Sequence, residues 1–225
     1  MNLNEKFKKF ADQEYESIDD IIDLKFFGKK ADYFIFDRSW ILEVKFLETE
    51  RQNSINNYIN QLADHDPDFP NFYGKVHVED LINKHKNPSV IRNQLCDYAS
   101  RNLKEILRKA DKQILATKNV VGNNNCIGIL VILNERNDFY DQDFILQEIS
   151  LLLHRKDEVE GYHRKNVQAI WYIHEYTVEQ KKYAFSSFFI GPTANYDSIQ
   201  SLTTILNLDW ISFNGYAFIP SDFLE

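Results

Sequence analysis

The 225-residue chain reads as an α/β domain, a mixed central sheet flanked by helices, and three stretches predict this class. Residues 31–47 hold two short aromatic and branched runs around the polar break Asp37-Arg38-Ser39, the pattern of a β-hairpin. Residues 126–133 form a continuous apolar run, as expected of a central strand buried on both faces. Between them, residues 89–118 repeat apolar side chains at helical spacing.

The elements follow in chain order. Residues 4–16 have a helical period, with Leu3, Phe10, Ile18 and Ile21 on the face of Phe7 and with Asp12, Glu16 and Asp20 elsewhere. Glu14 is the one ionisable residue in this stripe. It needs a partner or a task, unless it is an edge carboxylate that reaches solvent. Ser17-Ile18-Asp19-Asp20 carries the signature of a new helix start, which would break the phase.

After the hairpin, residues 48–92 are polar and irregular, an insertion over about 48–90. Within it, Asp64-His65-Asp66-Pro67-Asp68-Phe69-Pro70 reads as a solvated loop rather than a metal cluster, and 75–78 as a short strand. The long helix that follows buries Leu95, Ala99, Leu103, Ile106, Leu107, Ala110 and Ile114. Arg101, Lys104, Arg108 and Lys112 form a basic row on its opposite side, able to track phosphates or simply to face solvent. Gln113 falls at the border of the apolar stripe.

A turn at 119–125 precedes the apolar strand, and acids at 138–143 offer caps for a helix ending near Leu153. A charged connection at 154–165 leads to strands at 167–173 and 183–190, a short helix at 197–206 and a strand-like aromatic end at 210–219. No repeat or linker interrupts the chain, so residues 1–225 are expected to form one domain, with the last third as a C-terminal extension.

The formal net charge is −8, so any contact with nucleic acid has to rest on a local basic patch. No apolar run approaches the length of a membrane span and the N-terminus lacks the layout of a signal peptide, which predicts a cytoplasmic protein that does not contact membrane. The two cysteines, Cys96 and Cys126, make no metal-binding pattern, in keeping with a reducing compartment. The six histidines lack zinc spacing, and neither a Gly-X-Ser-X-Gly elbow nor a glycine-rich phosphate loop occurs.

The chemistry-bearing residues lie on the hairpin. Side chains alternate faces along a strand, so Asp32 sides with Phe34, and Glu43 and Lys45 with Ile41 and Leu47. A buried charge must be paired or bind a metal. Two carboxylates can hold a divalent ion and an adjacent ammonium can steer an anion or water toward it; a cross-strand salt bridge on a half-exposed sheet is the alternative. A glycosidase would need two acids flanking an open cleft, and the lysine two residues from Glu43 suits phosphate chemistry better.

Asp32, ten intervening residues and then Glu43-Val44-Lys45, with Glu14 on a preceding helix and Lys112-Gln113 on a later one, resemble the PD-(D/E)XK nuclease superfamily, the restriction-endonuclease-like fold. The resemblance covers residues 7–47 and 100–135; Ala31 stands where the name motif has Pro, and the C-terminal third lies outside it. It implies a magnesium- or manganese-dependent endonuclease acting on nucleic acid, DNA favoured over RNA, in a defence or repair system as a homodimer or within a larger assembly. By the same resemblance Asp32, Glu43 and Glu14 would hold the metal, Lys45 would orient the attacking water, Gln113 would position the nucleophile or brace Lys45, and Arg101, Lys104, Arg108 and Lys112 would hold the backbone. The competing expectation is an inactive nuclease-like module that binds protein or nucleic acid.

Overall fold

A computed structural model describes residues 1–21, 28–47, 50–74, 76, 78–135, 142–157, 161–178 and 181–216. Six strands form an open mixed sheet, built around the parallel trio β3 (Trp40–Leu47), β4 (Ile127–Glu135) and β7 (Ala169–Val178). Antiparallel strands extend it on both sides: β2 (Tyr33–Ile35) and β1 (Glu16–Ser17) beyond β3, and β8 (Lys181–Ile190) beyond β7. The trio is apolar on both faces, as strands with helices on each side must be.

The two faces bury separate cores. On one, α4 (Pro88–Val121) and α5 (Gln142–Leu153) pack Leu103, Leu107, Ile114 and Ile149 against Ile41, Leu130 and Ile170. On the other, α1 (Leu3–Glu14) and α6 (Tyr196–Asn214) enclose Leu42, Val131 and Trp171. Phe7 and Phe10 of α1 meet the Trp210 ring of α6 at 5.5 and 5.3 Å. At Gly128 the layers nearly touch, since an added Cβ would lie 2.1 Å from the Asn166 carbonyl oxygen and 2.6 Å from an Ile114 methyl.

Helix α4 is well marked at both ends, by Pro88 in its first turn and by Gly122 at φ +71, a conformation that glycine adopts without the clash a Cβ brings. Its C-terminal half lies on the sheet. Its N-terminal half meets α2 (Glu50–His65) and α3 (Val78–Lys84) in a third cluster of Ile59, Phe69, Leu81, Ile82, Ile91 and Leu95.

Several sequence expectations change. The insertion expected to be irregular is largely helical, because Tyr58, Ile59, Leu62 and Ala63 give α2 an apolar face that its polar residues mask in the sequence. The 75–78 strand is not formed as expected: Val78 opens α3, while Lys75 and His77 lie outside the described residues. The strand-like end becomes part of the 19-residue α6, since Leu206, Trp210 and Phe213 recur at helical spacing; residues 217–219 lie outside the described residues. The capping acids at 138–141 also lie outside them, and the 154–165 connection carries a small hairpin, β5 (Lys156–Asp157) with β6 (Gly161–Tyr162). In the 64–70 stretch Asp64 and His65 end α2, and Asp64 and Asp68 remain exposed as expected, with His85 Nε2 3.1 Å from Asp66 and Lys86 Nζ 3.0 Å from Asp68. No helix among the described residues is long and apolar enough to cross a membrane, and both cysteines are free thiols.

Candidate functional site

The hairpin turns through Phe36, Asp37 and Arg38, all at positive φ (50, 52 and 62°), a left-handed turn that costs each side chain about 1 kcal/mol. Arg38 grips Glu16 on β1 through two hydrogen bonds, and the Ser39 hydroxyl donates to the Phe36 carbonyl. Tyr33 pairs with Leu42 and Phe34 with Ile41. Continued by one residue, this register sets Asp32 opposite Glu43.

Strand β2 is three residues long and β3 eight, so β3 outruns its partner beyond Leu42. The Asp32 side chain takes over there, its Oδ2 accepting the Val44 N–H at 2.7 Å. Its backbone is fixed on both sides: Asp32 N–H donates to the Leu42 carbonyl at 3.0 Å, and Ile18 N–H donates to the Asp32 carbonyl at 3.0 Å. From below, α4 clamps the approach to Asp32. Gln113 Nε2 donates to the Lys30 carbonyl at 2.9 Å, and Ala31 N–H donates to the Thr117 hydroxyl at 2.9 Å. Thr117 in turn donates to the Gln113 carbonyl at 2.9 Å.

Glu43 is fully buried, on the α4 face between Ile41 and Leu47. Its Oε1 accepts a hydrogen bond from Lys45 Nζ. Its Oε2 has no hydrogen-bond partner among the described residues. Burial and the neighbouring Asp32 charge push the Glu43 carboxyl up to about 8, against the pull of Lys45 and, more weakly, of the Gln113 side chain. Asp32 is also raised, chiefly by burial; the Val44 N–H and the Lys45 and Lys8 charges act the other way, while Asp19 adds to the rise. A carboxylate oxygen left dry and unpaired costs at least about 1–3 kcal/mol. A cation between Asp32 and Glu43 would remove both that cost and the repulsion.

Asp32 lines a cavity of about 350 Å³ with Lys8, Asp19, Tyr33, Val44 and Phe46. The opening therefore lies between the end of β2 and helix α1, and neither Glu43 nor Lys45 is among the residues that line it. Lys8 and Asp19 could not be found by spacing; they arrive from α1 and from the short 3-10 turn Ile18–Asp20. Thr117 could have been, since it stands one helical turn beyond Gln113.

Glu14 does not join the two acids. Helix α1 ends at Glu14, with the Tyr15 N–H closing on the Ala11 carbonyl at 2.8 Å, and it is the Tyr15 ring that packs beside Phe10 at 5.2 Å. Glu14 is exposed, and its charge acts on the Tyr15 hydroxyl alongside Asp209. No group of three or more His, Cys, Asp or Glu placed to hold a metal occurs among the described residues. Two carboxylates remain, which suits magnesium, an ion that takes one or two and keeps its waters.

The basic row is also redistributed. Arg108 forms a two-pronged pair with Glu105 at 2.7 and 2.6 Å, and Lys109 reaches the same carboxylate at 3.5 Å. The Arg101 guanidinium lies 5.8 Å from the Tyr98 ring centroid, Lys112 is exposed, and Lys104 turns toward a separate cavity. Compared with family models, curated proteins and solved structures, the chain matches none of them.

Proposed function

We propose that the chain is a metal-dependent nuclease of PD-(D/E)XK type, with Asp32 and Glu43 holding Mg²⁺ or Mn²⁺ and Lys45 beside them. One observation carries the reading: a fully buried Glu43 oxygen without a hydrogen-bond partner, within reach of the Asp32 charge, with an ammonium on its other oxygen. A bound divalent ion would supply Lewis acidity toward a phosphate and lower the pKa of a water. The residues do the rest. Asp32, locked through Val44, holds its carboxylate at the mouth of the cavity. Lys45, half-buried and paired with Glu43, would offer its amine to negative charge building on a phosphate held there. Gln113 and Thr117 keep the 30–31 backbone, and hence Asp32, in place.

The test is cleavage of plasmid DNA and of RNA with Mg²⁺ or Mn²⁺ and with chelator. The parent should cut only with metal, and Asp32→Ala and Glu43→Ala should not cut; equal cutting by either variant would end the assignment. A second reading, a nuclease-like module without catalysis, is favoured by the Lys45–Glu43 pair, which half-satisfies the site from within. Calorimetric titration with Mn²⁺ separates the two, because such a module would show no heat that depends on Asp32.

A further inference from the structure

Helix α4 divides the carboxylate pair from a second cavity, of about 210 Å³, bordered by Lys104, Arg155, His163 and Arg164 over a floor of Leu107 and Leu152. At 100° per residue Lys104 lies half a turn around α4 from Gln113, and about 13 Å along it. The cavity therefore faces α5 and the β5–β6 hairpin, away from the Asp32 opening. We propose that it binds a phosphate group.

Three observations lead there. No carboxylate borders the cavity among the described residues, and the Lys104 charge acts on Glu148 of α5 beyond it. The cations come from three separate segments and converge, unlike the solvated row on the outer face of α4. And the cavity is held in shape. His163 N–H donates to the Arg155 carbonyl at 3.2 Å, Arg164 Nη1 to the His163 carbonyl at 3.0 Å, and Val167 N–H to the Arg164 carbonyl at 3.2 Å. The turn is pinned to α4 where Asn166 N–H and Nδ2 donate to the two Asp111 carboxylate oxygens at 2.9 and 3.3 Å. Two guanidiniums and an ammonium carried on this pinned backbone around one space match the oxygens of a phosphate, with guanidiniums able to grip them in pairs.

The phosphate can belong to a nucleic-acid strand or to a small free phosphate compound, and the experiment distinguishes them. The full chain is titrated calorimetrically, in chelator so that the carboxylate site and its metal play no part, with inorganic pyrophosphate and with a single-stranded oligodeoxynucleotide of about 12 residues without terminal phosphate. Saturable binding of either is expected to weaken roughly tenfold in Lys104→Ala and in Arg155→Ala. It should be unchanged in Lys182→Ala, on the exposed end of β8. Asn166→Ala, which removes no charge, should also weaken it by freeing the turn, with circular dichroism confirming the fold. Pyrophosphate binding alone assigns a free phosphate, and oligonucleotide binding through the same residues assigns a strand. Absence of saturable binding, equal losses in Lys182→Ala, or indifference to Asn166→Ala in a folded protein would overturn the proposal.

Discussion

Two acid–amine clusters sit on opposite faces of the same sheet and are finished differently. At the end of β7, both oxygens of Glu175 are satisfied: Lys6 Nζ donates to them at 2.6 and 2.9 Å, and the Tyr216 hydroxyl donates to one of them. That cluster ties the N-terminal helix to Tyr216, two residues beyond α6, and it is complete. In the hairpin cluster Lys45 serves one oxygen of Glu43, the other stays bare, and Asp32 adds repulsion instead of relief. The same residue types thus make a fully paired strut in one place and, on the proposed reading, a cation site in the other. Partner count tells them apart, not burial, since both acids are buried.

Substitution should separate the two most sharply in activity. Asp32→Ala or Glu43→Ala is expected to lower metal-dependent cleavage roughly a thousandfold or more, the scale on which charge-stabilising groups act. Glu175→Gln should leave the rate per folded molecule unchanged in the same assay. If Glu175→Gln also abolished cutting, the contrast between strut and site would fail.

Stability should rank them the other way. Lys6→Met leaves Glu175 buried with a hydroxyl alone, at an expected cost of about 2 kcal/mol, because removing one partner strands the other charge. Lys45→Met should cost no more than about 1 kcal/mol at pH 7, since Glu43 with its pKa near 8 is already mostly protonated there and leaves no full charge stranded. Urea midpoints of the two variants check the order.

The pH dependence sharpens the contrast further. Glu43 has its carboxyl raised from 4.5 to about 8, so between these values the folded protein holds more protons than the unfolded chain. Its contribution is fully present below about pH 4.5 and is lost as pH rises toward 8, by up to about 1.4 kcal/mol per pH unit. Asp32, also raised, acts with the same sign at the lower end of the window. Metal-free protein should therefore lose stability from pH 5 to 8, and Glu43→Gln or saturating Mn²⁺ should flatten the fall. An unchanged slope in Glu43→Gln would place the titration elsewhere.

The smallest effect belongs to the turn. Asp37→Gly at φ 52 should stabilise the protein by about 0.4–1 kcal/mol, by relieving a left-handed conformation, without changing Mn²⁺ affinity. A change in affinity would mean that turn strain reaches the Asp32–Glu43 pair.

Much of this could be read from the chain. The hairpin runs break at a polar turn, residues 126–133 are apolar without interruption and the long helix repeats its apolar residues at helical spacing, while alternation set Asp32 with Phe34 and set Glu43 and Lys45 with Ile41 and Leu47. Glu14 shows where periodicity runs out. Its angle on the wheel matches Phe7, but the helix ends there and Tyr15 fills the space beside Phe10. The aromatic end misled for a related reason, since Trp210 and Phe213 fit a strand or a helix until α1 supplies the surface they pack on.

Part of the local order was thus written into the chain itself: the hairpin, the apolar strand, the long helix, and the shared face of Glu43 and Lys45 on β3, because backbone geometry ties side-chain direction to sequence spacing. Only the assembled sheet decided which charges would lack partners. Whether Glu43 is left with a bare oxygen, whether Lys104 faces solvent or meets Arg155 and Arg164, and whether Glu175 is fully paired all depend on which distant segments pack alongside. Hydrogen bonding and desolvation act across a few ångströms of space, whatever the separation along the chain.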